Sequence, residues 1–211
     1  MLWLIIGCPL ICFGICLPLS LYYGPRKPFL SRCFKSLAAV CTLLPAVTAA
    51  TKLNPSFWGF VLALLFHSIA VFILEYWFLA GMGFFVLGHI CYIIVFLRLF
   101  PFTLSHIILL AIFSACSGYF LWKHRVLLKK SMKAFIVYGF FLSIMSSFGI
   151  AGGSASYSTQ GILLAFGAFL VSLYNILYFP SIIHPQMMKK DHLAMYAYYA
   201  AQLLLSLSCL F

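Results

Sequence analysis

The sequence predicts an all-α fold, a polytopic transmembrane helical bundle of about eight spans. The chain of 211 residues is 65% hydrophobic and only 7% charged, and its mean hydropathy is +1.14. A soluble domain of this length needs far more polar side chains to cover its surface. Apolar stretches long enough to cross about 30 Å of hydrocarbon also follow one another along nearly the whole chain.

Eight spans are predicted, separated by short breaks that carry basic residues, Gly or Pro. They lie near Leu2–Tyr22, Ser36–Thr51, Phe57–Leu74, Trp77–Leu97, Phe102–Trp122, Ala134–Ile150, Gly161–Phe179 and Leu193–Phe211. None shows the alternating polarity of a β-barrel strand. Almost nothing remains for a soluble part, so we expect residues 1–211 to form a single integral membrane domain.

Basic residues mark the breaks on one side of this predicted bundle. Eleven of the 13 Lys and Arg residues lie in the breaks after spans one, five and seven, whereas Lys52 and Arg98 alone lie in even-numbered breaks. The break after span one is predicted to hold Arg26, Lys27, Arg32 and Lys35. Because basic loops stay cytoplasmic, both termini are predicted to face outside.

The net charge of +11 is therefore interpreted as topology and contact with anionic lipid. The loops are too short for a basic folded face that binds nucleic acid. We expect a multi-pass protein of a bacterial inner (plasma) membrane, whose partners are membrane lipids and not nucleic acid.

Local signals refine the breaks and the helix contacts. Asn54-Pro55-Ser56 is typical of a helix start, Glu75-Tyr76 indicates a very tight turn, and the stretch 151–156 is predicted to be a flexible outer loop. Four glycines are expected to allow close helix approach. They are Gly81, Gly83, Gly161 and Gly167.

Three cysteines, Cys8, Cys12 and Cys16, form an i, i+4, i+8 row on span one. A row of this kind suits either a soft metal or small polarizable packing residues at a helix contact. Packing is favoured, because no other span adds a matching cluster. No hydrolase elbow, phosphate-binding glycine loop or zinc-ligand pair is present, and we expect neither a metal nor a cofactor.

The mid-span candidates for chemistry are histidines and amides. The two carboxylates of the chain, Glu75 and Asp191, fall at predicted breaks. His67, His89, Asn175 and Gln202 lie within spans three, four, seven and eight. Interhelical hydrogen bonds explain each of them singly, but four in one small bundle favour a shared polar cavity. We expect His67, Val71, His89, Tyr138, Asn175 and Gln202 to line one pocket.

Several motifs in order along the chain resemble the lysoplasmalogenase-like YhhN family of eight-span membrane proteins. They are Lys27-Pro28, Gly88-His89 with Tyr92, Tyr138 with Met145, Gly167-Ala168, and Tyr198-Tyr199-Ala200-Ala201-Gln202. Each motif is weak alone, and their order makes the set moderately specific. The resemblance implies hydrolysis of the vinyl ether of a lysoplasmalogen to a fatty aldehyde and a glycerophospho-base.

The chain departs from the family pattern at two positions that bear on mechanism. The family places Gly-Asp in span three and Ser-Asp in span seven, where this chain has Ala70-Val71 and Tyr174-Asn175. Vinyl-ether cleavage needs an acid and a nearby base, and two carboxylates in unlike environments suit both tasks. Valine can do neither, and asparagine can only orient groups by hydrogen bonding.

Two interpretations of the function follow from this comparison. In the first, the protein is an active hydrolase whose catalysis depends on His67, His89 and Asn175, because histidine titrates near neutral pH. In the second, it is a catalytically degenerate member that binds or senses single-chain lipids, and a small transporter is a weaker option. The residues expected to bind substrate are Val71, Tyr92, Tyr138, Tyr174, Tyr199 and Gln202.

The basic asymmetry makes a direct topological prediction. A reporter protein fused after Phe211 should lie outside the cytoplasm, because the last break before span eight is basic. Only a reporter that functions outside the cytoplasm should therefore be active. Paired fusions of alkaline phosphatase and green fluorescent protein measure this. A fluorescent, phosphatase-negative fusion would contradict the predicted orientation.

Overall fold

The protein is a bundle of eight long helices. A computed structural model describes residues 2–24, 26–74, 76–183 and 192–211, and no strand occurs within these ranges. The eight helices that are long and apolar enough to cross a membrane are α1 (Trp3–Tyr23), α2 (Pro28–Lys52), α3 (Pro55–Leu74), α4 (Phe78–Leu99), α5 (Leu104–Lys123), α6 (Met132–Ala155), α7 (Thr159–Phe179) and α8 (His192–Leu210). The all-helical, eight-span prediction is therefore confirmed, and the chain is a multi-pass integral membrane protein.

Six of the helices close into a ring. Neighbours pack in the order α2, α3, α4, α6, α7 and α8, and α8 returns to α2. The helix α1 packs outside this ring on α2, and α5 packs outside it on α6. Burial follows the arrangement, because 67% of the apolar window of α8 is buried and only 6% of that of α5.

Contacts between distant segments define one end of the bundle, here called the basic end. Arg32 near the start of α2 hydrogen-bonds the hydroxyl of Tyr76, which lies between α3 and α4, and stacks over its ring. Tyr199 near the start of α8 donates to the Lys35 carbonyl of α2 at 2.9 Å. The start of α2, the end of α3 and the start of α8 therefore lie at the same end of the bundle.

The second span is longer than predicted. It begins at Pro28 instead of Ser36, so Arg32 and Lys35 lie in its first two turns and not in a break. Proline is favoured at the first helical position, and long basic side chains can extend from a helix end toward water. Pro45 does not end the helix, and the next backbone N–H, of Ala46, donates to Ser206 Oγ of α8 at 2.9 Å.

The predicted outer loop at 151–156 is also wrong, because α6 continues as a helix to Ala155. Its Gly152 and Gly153 lie against neighbours that leave no room for a side chain. A Cβ on Gly153 would overlap the Gly161 carbonyl and reach within 2.8 Å of the Ala165 nitrogen of α7. Gly153 therefore maintains a backbone contact with α7, and Gly152 packs on the Phe100 side chain, which their flexible composition does not suggest.

One of the remaining local predictions is wrong, and the others are confirmed or lie outside the described residues. Asn54 caps the start of α3, with its Oδ1 accepting from Ser56 N at 2.9 Å, as expected. Gly81, Gly161 and Gly167 lie at close helix contacts, but a Cβ on Gly83 would meet nothing within 4 Å. Glu75 and Asp191 lie outside the described residues.

The cysteine row of α1 is buried. Cys12 and Cys16 pack in one cluster with Cys41 of α2, a partner that sequence spacing did not indicate. Among the described residues, no group of three or more His, Cys, Asp or Glu is placed to hold a metal ion. The contact of α1 with α2 is consistent with the packing interpretation.

The glycine contact between α6 and α7 can be tested by adding one methyl group. Gly153→Ala should lower the free energy of unfolding by about 1–3 kcal/mol, because the Cβ has no space. Thermal unfolding in detergent measures the effect. Gly83→Ala is the matched control and should be neutral or stabilising by up to about 1 kcal/mol. Equal stability of the two variants would be evidence against this contact.

Candidate functional site

Two histidines meet edge to face inside the ring of helices. His67 comes from α3 and His89 from α4, and their ring centroids lie 4.9 Å apart with an interplanar angle of 86°. Gly88 makes the contact possible, since a Cβ at this position would overlap the His67 ring. Both side chains are buried, with exposed fractions of 1% and 0%.

Aromatic rings surround this histidine pair. His67 packs against Phe85 at 5.2 Å and Tyr92 at 5.4 Å between ring centroids, and His89 against Tyr138 at 5.5 Å. Within the described part of the chain, no ring nitrogen of either histidine completes a hydrogen bond. Unpaired buried polar groups are costly and rare in folded proteins, so these nitrogens are candidates for interaction with a ligand.

A second polar pair links α6 to α7. The Tyr138 hydroxyl donates to Asn175 Oδ1 at 2.5 Å, and the Asn175 amide donates to the Val171 carbonyl one turn earlier at 2.8 Å. Because the Tyr138 ring also packs on His89, the histidine pair and Asn175 are connected through a single tyrosine.

Gln202 of α8 joins the cluster from the opposite side. Its Oε1 accepts from the Tyr92 hydroxyl at 3.1 Å. Its amide side chain approaches the His67 ring, but Nε2 completes no hydrogen bond of good geometry within the described residues. Gln202 therefore orients Tyr92 through its side-chain oxygen, and its side-chain nitrogen lies on the side of the His67 ring.

The other predicted substrate-binding residues take different positions. Val71 is half-buried and packs against the core cluster that contains Phe85 and Tyr174. Tyr174 stacks on Tyr178 with ring centroids 5.3 Å apart. Tyr199 hydrogen-bonds the α2 backbone, so its hydroxyl is engaged in a helix contact.

Sequence reasoning left two contact residues out of the site. Phe85 packs on His67 and on Tyr138, and it lies four residues before His89, so helical spacing placed it on the same face. Tyr198 donates to the His67 carbonyl at 3.2 Å. The Tyr-Tyr-Ala-Ala-Gln motif contained this residue, but spacing did not show which of its two buried tyrosines contacts His67.

A cavity of about 260 Å³ lies between α5, α6 and α7. Tyr138 and Asn175 form part of its wall, together with apolar and small side chains. These include Phe113, Phe120, Leu121, Phe135, Gly139, Leu142, Ser143, Ser172, Ile176 and Phe179. The cavity is half open, and we call it the groove.

The six residues that were predicted to line one pocket do not all line either of the cavities found. A second cavity of about 40 Å³ is lined by Phe85, Tyr138, Tyr174 and Asn175, and neither cavity is lined by His67, His89 or Gln202. The reason is packing. The His67 ring fits against Gly88, and aromatic rings fill the remaining space around the histidines. Tyr138 and Asn175 are the predicted residues that belong to both the polar cluster and the groove.

Comparison with known proteins gives one match. The YhhN family model matches residues 30–209, which leaves out Lys27-Pro28 and the cysteine row of α1. No curated protein matches, and no solved structure matches.

The hydrogen bond between Tyr92 and Gln202 predicts a coupling between α4 and α8. Tyr92→Phe should lower the free energy of unfolding by about 0.5–2 kcal/mol, because the Gln202 oxygen loses its donor. Gln202→Leu should cost a similar amount, and the double variant should cost less than the sum of the two single changes. Thermal unfolding of all four proteins measures the cycle, and strict additivity would show that the pair does not interact.

Proposed function

From its membership of the YhhN family, we propose that this chain is a lysoplasmalogenase-type protein acting on single-chain ether phospholipids. The reaction cleaves the vinyl ether to a fatty aldehyde and a glycerophospho-base. The observation that carries the proposal is the polar cluster of His67, His89, Tyr138 and Asn175, which reaches the groove through Tyr138 and Asn175. We further propose a bacterial inner membrane as its location.

The groove supports this substrate class by its shape and lining. A cavity of about 260 Å³ with mainly apolar walls suits one hydrocarbon chain better than two. Its walls are α5, α6 and α7, and α5 is the least buried helix of the eight. A lipid can therefore enter sideways from the membrane, without crossing the packed ring of helices.

The chemistry requires a proton donor, a water molecule and a proton acceptor. Protonation of the vinyl carbon farther from oxygen leaves an oxocarbenium centre, to which the oxygen of water bonds as water loses a proton. In the resulting hemiacetal the hydroxyl loses its proton, the bond from carbon to the glycerol oxygen breaks as that oxygen takes a proton, and the aldehyde leaves. One water is consumed, and the proton is returned.

Histidine is the residue type available here for these proton transfers. His89 lies directly behind the Tyr138 ring, and the Tyr138 hydroxyl is held by Asn175 at the groove wall. In this proposal His89 supplies the proton, with His67 as its neighbour. Asn175 holds Tyr138 and orients the bound ether, since its amide exchanges no proton at neutral pH.

A specific observation also favours a second function, non-catalytic binding of single-chain lipids. Val71 and Asn175 stand where the family pattern has aspartates, and neither can act as an acid. The groove does not depend on these acids, because its apolar walls would bind the chain alone. The two functions differ in turnover, not in the ligand.

Restoring aspartates at positions 71 and 175 distinguishes hydrolysis from non-catalytic lipid binding. If the missing aspartates limit the reaction, the wild-type protein should release aldehyde from a lysoplasmalogen slowly or not at all. Val71→Asp with Asn175→Asp should then raise the rate, and a positioned proton donor is typically worth about 100- to 10,000-fold. Each single change should do less. The assay is aldehyde release by purified protein.

The controls address folding and the role of the histidines. Buried aspartates cost stability unless paired or protonated, so folded yield is measured for every variant, and Val71→Asn with Asn175 unchanged serves as the polar control. Fast turnover by wild-type protein that is lost in His67→Ala or His89→Ala, at unchanged folded yield, would show that the histidine site is active as it stands. No turnover by any variant would refute the hydrolase proposal and leave lipid binding.

A further inference from the structure

The groove has a direction relative to the membrane. Its lining begins with Phe120 on α5, Phe135 on α6 and Phe179 on α7, near the basic end, and continues inward to Phe113, Ser143 and Ser172. The separation of eight positions between residues 135 and 143 corresponds to about 12 Å along a helix. The groove therefore runs from the membrane surface at the basic end toward the middle of the bundle.

The connection from α5 to α6 lies across the outer end of the groove, because it joins two of the three helices that form its walls. His124 marks this position, with its ring 4.9 Å from Phe120 and 5.9 Å from Phe179 between centroids. We call the three rings His124, Phe120 and Phe179 the mouth. Next to them, the chain forms a short helix, Arg125–Leu128, and a turn of 3-10 helix, Lys129–Ser131.

The connection at the mouth carries positive charge, and its four exposed basic residues are here called the rim. Lys123, Arg125, Lys129 and Lys133 are all exposed around this connection. Within residues 120–135 the sequence has no Asp or Glu to neutralise them. A cationic rim around an apolar groove is complementary to an amphiphile with one anionic group and one hydrocarbon chain.

The polar pair of Tyr138 and Asn175 lies about one helical turn deeper in the groove than its outer phenylalanines. Tyr138 is three residues inward from Phe135, and Asn175 is four residues inward from Phe179, which is about 5–6 Å along each helix. In a single-chain ether phospholipid, the ether oxygen lies a similar short distance below the phosphate, because the glycerol separates them. The remaining apolar part of the groove lies deeper, on the side of the hydrocarbon tail.

We propose that the rim residues Lys123, Lys129 and Lys133 bind the phosphate of a single-chain ether phospholipid at the mouth. The tail then runs inward along the groove, and the ether bond lies at Tyr138 and Asn175. The reverse orientation would place a phosphate among apolar side chains, which is strongly unfavourable. This inference rests on the proposed function for its substrate class and adds the head-group site and the orientation.

The orientation is tested with a lipid that cannot be hydrolysed, so that its outcome does not depend on catalysis. A 1-O-alkyl lysophospholipid, saturated at the ether, is prepared with a photoreactive diazirine either at the tail terminus or beside the ether. The tail probe should label peptides around Phe113 and Leu142, and the ether probe peptides around Tyr138 and Asn175. Labelling of the mouth by the tail probe would overturn the orientation.

The groove itself needs a blocking variant. Gly139 lies in the groove wall, and a Cβ there meets neighbours no nearer than 3.7 Å, so Gly139→Leu can fold while its side chain fills the groove. It should abolish labelling by both probes. Gly118→Leu is the matched control on α5, where a Cβ meets nothing within 4 Å. Undiminished labelling in Gly139→Leu would show that the lipid binds elsewhere.

The phosphate site is tested by removing its charge. Lys129→Gln with Lys133→Gln should weaken binding of the alkyl lysophospholipid by roughly 5-fold per charge, and binding of the phosphate-free alkylglycerol should not change. Arg26→Gln with Lys27→Gln removes two charges elsewhere at the basic end and is the control. Equal weakening by both pairs would indicate a general surface effect and overturn the head-group site. Aldehyde-release results bear on the proposed hydrolysis alone, so the two proposals can fail separately.

Discussion

The site depends on the close approach of α3 and α4 at Gly88. With no side chain at that position, the His67 ring packs onto the backbone of α4 and meets His89 edge to face. This contact fills space that would otherwise be a polar cavity. It also sets the position of Tyr92 and Phe85, which pack on the same imidazole.

Burying two imidazoles this way requires neighbours that tolerate them. Aromatic edges and one amide contact the rings, and the described residues provide no carboxylate there. A charged imidazolium would be costly in such surroundings. The pair therefore lies in aromatic surroundings, and Tyr138, which packs on His89, connects it to Asn175.

The bundle separates a packed interior from a lipid-accessible edge. The ring of six helices holds the histidines, whereas the groove is formed where α5 packs outside the ring on α6. Tyr138 belongs to both, because its ring contacts His89 and its hydroxyl bonds Asn175 in the groove wall. The groove therefore lies at the outer edge of the ring, and Tyr138 and Asn175 connect its wall to the packed interior.

The sequence by itself determined the fold class and the spans, because each segment must on its own be long and apolar enough to cross about 30 Å of hydrocarbon. It also identified His67, His89, Asn175 and Gln202 as mid-span polar candidates, since such groups stand out there, and the family resemblance added Tyr138. Which helices are neighbours was decided only by the tertiary structure, because hydropathy is the same for every lateral arrangement. That arrangement brought Cys41 to the α1 row, turned Tyr198 inward, extended α6 through Gly153, and placed the groove beside Asn175 and away from the histidines.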